Sequence, residues 1–236
     1  FTFTGAGSVF VVCEGNFGSG NSSLYAYKPA RDSIFGDLYS NANKQSLGDV
    51  FQSMVKINSQ YFLCVNNSDR VVILNAGTLK VAGVINIPKP RYILPISDNK
   101  AYVSSQYSQN VYVINPQTHK VLDTIELPNR NPEGMCLFNN TAVICTWDTV
   151  CNVIYKVDIG TDKVVHVLGL AGYAPQEALL DNEGMLWVLS GNKPQHRVST
   201  MTRLNPSSGD MLASYRFPDN ADAIKPVFNN TRDTLY

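Results

Sequence analysis

Residues 90–125 read PRYILPISDNKAYVSSQYSQNVYVINPQTHKVLDTI, four short apolar segments divided by turn residues. Tyr92 to Pro95 predicts a short innermost strand, and Lys100 to Ser104 a second, after the turn Ser97-Asp98-Asn99. Val111 to Ile114 predicts a third strand and Val121 to Ile125 a fourth. The turn between these last two fits: Pro116 presets φ for the second turn position, and Asn115 precedes it. Working outward, the end of the third strand recurs as Tyr27-Lys28-Pro29, Leu74-Asn75, Ile114-Asn115-Pro116, Val157-Asp158 and Leu204-Asn205-Pro206. The register falls at positions 28, 75, 115, 158 and 205, with spacings of 47, 40, 43 and 47 residues. A period in the low forties, filled with short strands, is the signature of a β-propeller.

The same grammar predicts second strands at Phe10–Cys13, Tyr61–Val65, Ala101–Ser104, Ala142–Cys145 and Leu186–Leu189. Continuous apolar runs such as Val71-Val72-Ile73-Leu74 fit strands covered on both faces. No segment offers a capped helix of three turns, so the fold class is all-β. The expected architecture is a propeller of four-stranded blades, about seven-bladed when complete, with this chain covering roughly five to six. Residues 1–236 are expected to form a single propeller domain cut short at its C-terminal end. The first blade has room only for Phe1–Thr4 before Phe10, while Lys225–Phe228 and Asp233–Tyr236 read as the opening strands of a sixth. An open arc would expose strand edges, so the chain is expected to continue beyond Tyr236 and return a strand to the first blade.

Lys+Arg and Asp+Glu both number 19, for a formal net charge of zero. That lacks the basic stripe non-specific nucleic-acid binding requires, and no nucleic-acid partner is expected. The 23 Asn residues suit turns, because Asn tolerates φ > 0 and bonds to its own backbone. Cys13, Cys64, Cys136, Cys145 and Cys151 contain no CxxC pair. They read as buried free thiols rather than a zinc site or a disulfide framework. No stretch approaches the ~18 apolar residues of a membrane span.

Loops after third strands, such as Asn75-Ala76-Gly77-Thr78, are plain surface turns. Loops after second strands differ. They carry Glu14-Gly15-Asn16-Phe17, Asn66-Asn67-Ser68, Ser105-Gln106-Tyr107-Ser108, Thr146-Trp147-Asp148-Thr149 and Ser190-Gly191-Asn192. Segments leading into first strands carry Leu47-Gly48-Asp49-Val50, Lys89-Pro90-Arg91-Tyr92, Asn131-Pro132-Glu133-Gly134 and Ala174-Pro175-Gln176-Glu177. In a propeller these two sets share one face around a central channel, where function gathers on loops held by a rigid scaffold. The expected ligand-binding residues are Asn16, Phe17, Gln52, Asn67, Arg91, Tyr92, Tyr107, Glu133, Trp147 and Gln176. Polar residues in such places also satisfy inner-strand backbone groups.

Catalytic patterns are thin. His119, His166 and His196 fall in a turn, a fourth strand and a long loop, which supports neither a histidine metal site nor a Ser–His pair. Glu14, Asp49, Glu133, Asp148 and Glu177 could with Asn16 hold a divalent cation, but no metal-loop motif accompanies them. No catalytic residue and no metal ligand is assigned.

Cys13-Glu14-Gly15-Asn16-Phe17-Gly18, Gly48-Asp49-Val50-Phe51-Gln52-Ser53-Met54, Val65-Asn66-Asn67-Ser68, Pro90-Arg91-Tyr92, Ala101-Tyr102-Val103-Ser104 and Pro132-Glu133-Gly134-Met135 carry a family resemblance. Over essentially the whole chain they resemble exported propellers of Bacteroidetes, similar to YncE and to surface-layer-type YVTN-repeat propellers. Ser104-Ser105 departs from the acidic residue usual after that serine. The resemblance implies export to the outer-membrane surface or periplasm, with a lipid anchor upstream of Phe1. It also raises surface lipoproteins that capture cobalamin for a TonB-dependent outer-membrane transporter. Three readings are open. The first is a monomeric, non-catalytic propeller binding a corrinoid or other large polar ligand, with no cofactor of its own. The second is a surface-layer or protein-interaction module without a small ligand. The third is a propeller enzyme of lyase or lactonase type with a channel metal.

Overall fold

The repeated residue at 75, 115, 158 and 205 builds a turn. In the computed structural model, which describes residues 7–236, Asn75 Oδ1 accepts from the N–H groups of Gly77 (3.0 Å) and Thr78 (3.1 Å). Asn115 Oδ1 does the same for Gln117 and Thr118, Asp158 Oδ1 for Gly160 and Thr161, and Asn205 Oδ1 for Ser207 and Ser208. Each time, the residue four positions later is left-handed: Leu79 (φ 56°), His119 (φ 55°), Asp162 (φ 58°) and Gly209 (φ 82°). Its N–H returns to the carbonyl of the residue that opened the turn. Short polar side chains compete for backbone donors, which is why Asn or Asp recurs here. Lys28 has no such side chain. Its turn is instead a 3-10 segment, Pro29–Arg31, closed by left-handed Asp32, whose carboxylate accepts from Tyr27 Oη at 2.9 Å.

These turns join antiparallel strands into five sheets. The first has three strands, β1 (Val9–Cys13), β2 (Ser23–Lys28) and β3 (Ser33–Phe35). The second contains β4 (Phe51–Ile57), β5 (Gln60–Val65), β6 (Arg70–Asn75) and β7 (Val81–Asn86). The third contains β8 (Pro90–Ser97), β9 (Lys100–Ser105), β10 (Asn110–Asn115) and β11 (Lys120–Glu126). The fourth contains β12 (Pro132–Phe138), β13 (Thr141–Thr146), β14 (Val153–Asp158) and β15 (Lys163–Gly169). The fifth contains β16 (Pro175–Leu180), β17 (Leu186–Asn192), β18 (Arg197–Leu204) and β19 (Met211–Arg216).

The described residues form five sheets, the first with three strands, where five to six four-stranded blades of a ring of about seven were expected. The expected sixth does not form a sheet among the described residues. Its two segments pair through a bridge between Phe228 and Leu235, with reciprocal backbone bonds between Val227 and Tyr236 and one from the Asn229 N–H to the Thr234 carbonyl. The stub Phe1–Thr4 lies outside the described residues.

A short helix, α1 (Leu38–Asn43), was not expected. Asp37 caps it, accepting from the Tyr39 N–H (3.2 Å) and Ser40 Oγ (2.5 Å). Leu38 and Tyr39 are buried. This insertion lengthens the first spacing, as the 3-10 turn Lys193–Gln195 lengthens the last.

Residues 7–105 with 112–124 form one compact unit, and 106–111 with 125–236 form another. In the first unit the alternation of a strand covered on both sides is explicit. Leu63, Val65, Val72 and Leu74 enter one core with Leu24, Leu47 and Phe51. Their neighbours Phe62, Cys64, Val71 and Ile73 enter another with Ile85, Ile87 and Val103. The continuous run Val71–Leu74 therefore needs no polar face. In the second unit Val143, Cys145, Ile154, Ala178, Leu186 and Val188 form the corresponding core.

Candidate functional site

Every inner strand of the four complete sheets opens in the same way. The residue before it is left-handed: Val50 (φ 59°), Lys89 (φ 43°), Asn131 (φ 57°) and Ala174 (φ 58°). The ladder then slips between Phe51 and Ser53, Pro90 and Ile93, Pro132 and Met135, and Pro175 and Glu177. Such bulges release residues from the pairing and re-aim their side chains. Gln52, Arg91, Tyr92, Glu133 and Gln176, which loop chemistry alone marks as candidates, are the residues released. The left-handed carbonyl also fixes the loop after the second strand. Val50 O accepts from the Asn66 N–H (2.8 Å), Asn131 O from Trp147 (2.8 Å) and Ala174 O from Gly191 (2.9 Å).

In the first unit these residues form two hydrogen-bonded groups. Arg91 Nη1 donates to Gln52 Oε1, Gln52 Nε2 donates to Tyr92 Oη (3.3 Å), and Ser53 Oγ donates to the Arg91 carbonyl (2.6 Å). The Arg91 guanidinium lies 5.7 Å from the centre of the Tyr92 ring. In the second group, buried Asp49 Oδ2 accepts from Asn67 Nδ2 (2.5 Å) and the Gly18 N–H (2.8 Å). Lys89 Nζ donates to Asn67 Oδ1 (2.9 Å). The Asn67 amide, with backbone donors including Gly18, holds the Asp49 carboxyl below its usual range, so it stays ionised. Asn16 and Phe17 sit in the turn beside this group. The Asn16 N–H bonds to Asn21 Oδ1, and the Phe17 side chain is 81% exposed.

In the second unit a chain of contacts links three predicted residues. The Tyr107 N–H donates to Asn131 Oδ1 (2.8 Å), and Asn131 Nδ2 to the Trp147 carbonyl (3.4 Å). Trp147 Nε1 (2.8 Å) and Gln176 Nε2 (2.6 Å) both donate to the Gly191 carbonyl. Gly191 has φ 146°, and a Cβ there would lie 2.9 Å from Ser199 Cα, so glycine is required. Tyr107 remains 64% exposed, while Trp147 is half-buried. Buried Glu133 is followed by Gly134, whose missing Cβ makes room for Glu177. Burial, with the Glu133 charge adding to it, pushes the Glu177 carboxyl up to about 7. The sequence places Glu177 beside this rim but does not reveal its proton.

The cysteines and His119 are structural. All five cysteines are free. Burial pushes the Cys64 and Cys136 thiols up to about 12 and Cys145 well above its usual value, which leaves them unreactive. His119 Nε2 lies 3.0 Å from Gln60 Oε1 beside Gly83. Burial lowers its pKa, so it is a neutral packing residue. Among the described residues no three His, Cys, Asp or Glu side chains are grouped to hold a metal. Asp148, one of the acids considered for a cation, accepts from the Arg130 and Val150 N–H groups.

A family model described as a domain of unknown function, DUF5074, matches residues 7–229. No curated protein sequence matches the chain. Among solved structures, hydrazine synthase of Kuenenia stuttgartiensis is similar with TM-score 0.69 and 18% identity, over 76% of this chain and 52% of that one. The computationally designed protein Ika8 is similar with TM-score 0.68 and 11% identity, over 99% of this chain and 68% of that one. The WD40 β-propeller domain of Doa1 gives TM-score 0.60 and 12% identity, over 79% and 58%. The chain thus spans about half the length of the hydrazine synthase chain and under two thirds of the Doa1 chain. At these identities the likeness concerns the fold: the five sheets are blades of an all-β propeller.

Proposed function

The chain belongs to the DUF5074 family, and we propose that it is a non-catalytic binding module in which the bulged openings of the inner strands within each unit meet a large polar ligand or a protein partner. One observation carries this reading. The same left-handed lead-in and bulge recur four times, yet the released side chains are not one residue type: Gln52 and Gln176 carry amides, Arg91 with Tyr92 a guanidinium and a phenol, and Glu133 a carboxyl. Strained non-glycine backbone repeated at one place suits positioning for recognition. Within its own unit, exposed Phe17 stands beside the Asp49 group, and exposed Tyr107 beside Asn131, so each adds aromatic surface next to polar groups.

The resemblance to exported YVTN-repeat propellers extends the proposal to a lipid-anchored protein at the outer-membrane surface, with 1–236 belonging to one propeller domain. Cobalamin, delivered onward to a TonB-dependent transporter, is the first ligand to test. Isothermal titration of the purified protein with cobalamin is expected to give saturable heat at micromolar concentration. Absence of heat would remove the corrinoid while leaving a protein partner as the second reading. Co-purification with an outer-membrane transporter would support that partner.

A further inference from the structure

The second unit holds a cavity of about 250 Å³ between the segment after β15, the loop before β18 and the end of β19. Its wall includes Gly172, Tyr173, His196, Arg197, Thr200 and Arg216, and no carboxylate lines it. None of these residues carries a binding-site pattern in the sequence, and none belongs to the bulged rim. The Arg197 guanidinium lies over the Tyr173 ring, 4.7 Å from its centre. Stacking of this kind engages the flat face of the guanidinium and leaves its N–H edge for an in-plane acceptor. Arg197 Nε is buried and has no hydrogen-bond partner. A buried guanidinium donor without an acceptor is costly unless a ligand supplies one.

The surroundings are built for that acceptor. Arg216 Nη2 pairs with Asp219 at 2.7 Å, but both side chains are largely exposed, and an exposed pair of this kind contributes little. An anion in the cavity would therefore compete with Asp219 for Arg216 at little cost. His196 is left-handed (φ 58°) at the end of the 3-10 turn Lys193–Gln195, which carries it to the same wall. Thr200 is buried against Gly172, where a Cβ would lie 2.7 Å from Thr200 Cβ. Gly172 thus sets how closely the two walls approach. The space is smaller than the ~300–1,000 Å³ usual for a drug-sized ligand, so it suits a single anionic group.

We propose that this cavity binds a tetrahedral oxyanion, either free phosphate or the terminal phosphate of a monoester. Arg197 is the central donor, with Arg216 and His196 beside the oxygens, while Thr200, whose Oγ1 donates to the Val198 carbonyl (3.3 Å), shapes the wall. Two guanidinium groups match phosphate oxygens better than a lone ammonium would.

Thermal unfolding of the purified chain, with inorganic phosphate, glycerol phosphate or acetate added at matched ionic strength, tests this. Phosphate or its monoester is expected to raise the midpoint in a saturable way, while acetate does not. Stronger binding of the monoester identifies the terminal group of a larger molecule, and stronger binding of phosphate identifies the free ion. Arg197→Ala is expected to weaken binding by about tenfold or more, since charge-assisted bonds are the strong ones. Arg216→Ala, at an exposed position that leaves folding intact, is expected to weaken it by less. Equal shifts with acetate, or unchanged phosphate binding in both variants, would overturn the proposal.

Discussion

The turns after the third strands and the rims that open the first strands repeat in different ways. In the turns, backbone and side chain recur together: Asn75, Asn115, Asp158 and Asn205 each turn an oxygen onto their own backbone. In the rims the backbone recurs, with a proline next in three of the four (Pro90, Pro132 and Pro175), but the released side chains are not constant. Val50, Lys89, Asn131 and Ala174 share a left-handed φ, while the side chains released after them are glutamine in two sheets, arginine with tyrosine in one and glutamate in one. A side-chain oxygen turned onto its own backbone is committed to building the turn. Where geometry repeats but residue identity does not, the side chain answers to something other than the fold.

Three perturbations would break or sharpen this contrast. The largest effect is expected at Gly191, which supports both Trp147 and Gln176. Gly191→Ala meets Ser199 backbone at a φ that L-residues rarely adopt, and should cost roughly 2–4 kcal/mol in urea unfolding. A loss below that of a turn variant would mean that the rim is not rigidly held.

The next effect is a pH dependence. The Glu177 carboxyl stands at about 7 against an ordinary 4.5. Its protonated form is therefore preferred in the folded chain. Stability is greatest below about 4.5, falls as pH rises towards 7, and the contribution is lost above it. Glu177→Gln mimics the neutral acid and should be more stable than the parent by about 1–2 kcal/mol at pH near 8, with the difference vanishing in mild acid. A difference independent of pH would show that the carboxyl is ionised throughout.

The smallest effect is expected in a turn. Asn205→Ala removes the acceptor for Ser207 and Ser208 and should cost about 1 kcal/mol. It should leave any binding at the rim unchanged.

Much of the fold is legible because strands and turns announce themselves locally. The run Val71–Leu74 declares a strand buried on both faces, and Asn115-Pro116 declares its turn. The helix at Leu38–Asn43 is not legible, since six residues are too short for a helical period and depend on burial of Leu38 and Tyr39. Gln52, Arg91, Glu133 and Gln176 are legible as chemistry on the right loops. Their common position in a bulge is not, because Val50 and Ala174 carry no residue-level sign of a left-handed φ. The oxyanion cavity is hidden for a different reason: Tyr173, Arg197 and Arg216 lie in three separate segments that only the fold joins.

The most direct test compares cobalamin affinity in two variants of the second unit, Trp147→Ala in the rim and Asn205→Ala in a turn. The account predicts saturable binding by the parent, retained in Asn205→Ala and weakened by at least about tenfold in Trp147→Ala, as expected when an aromatic anchor is removed. Equal binding by both variants, or loss in the turn variant alone, would contradict it.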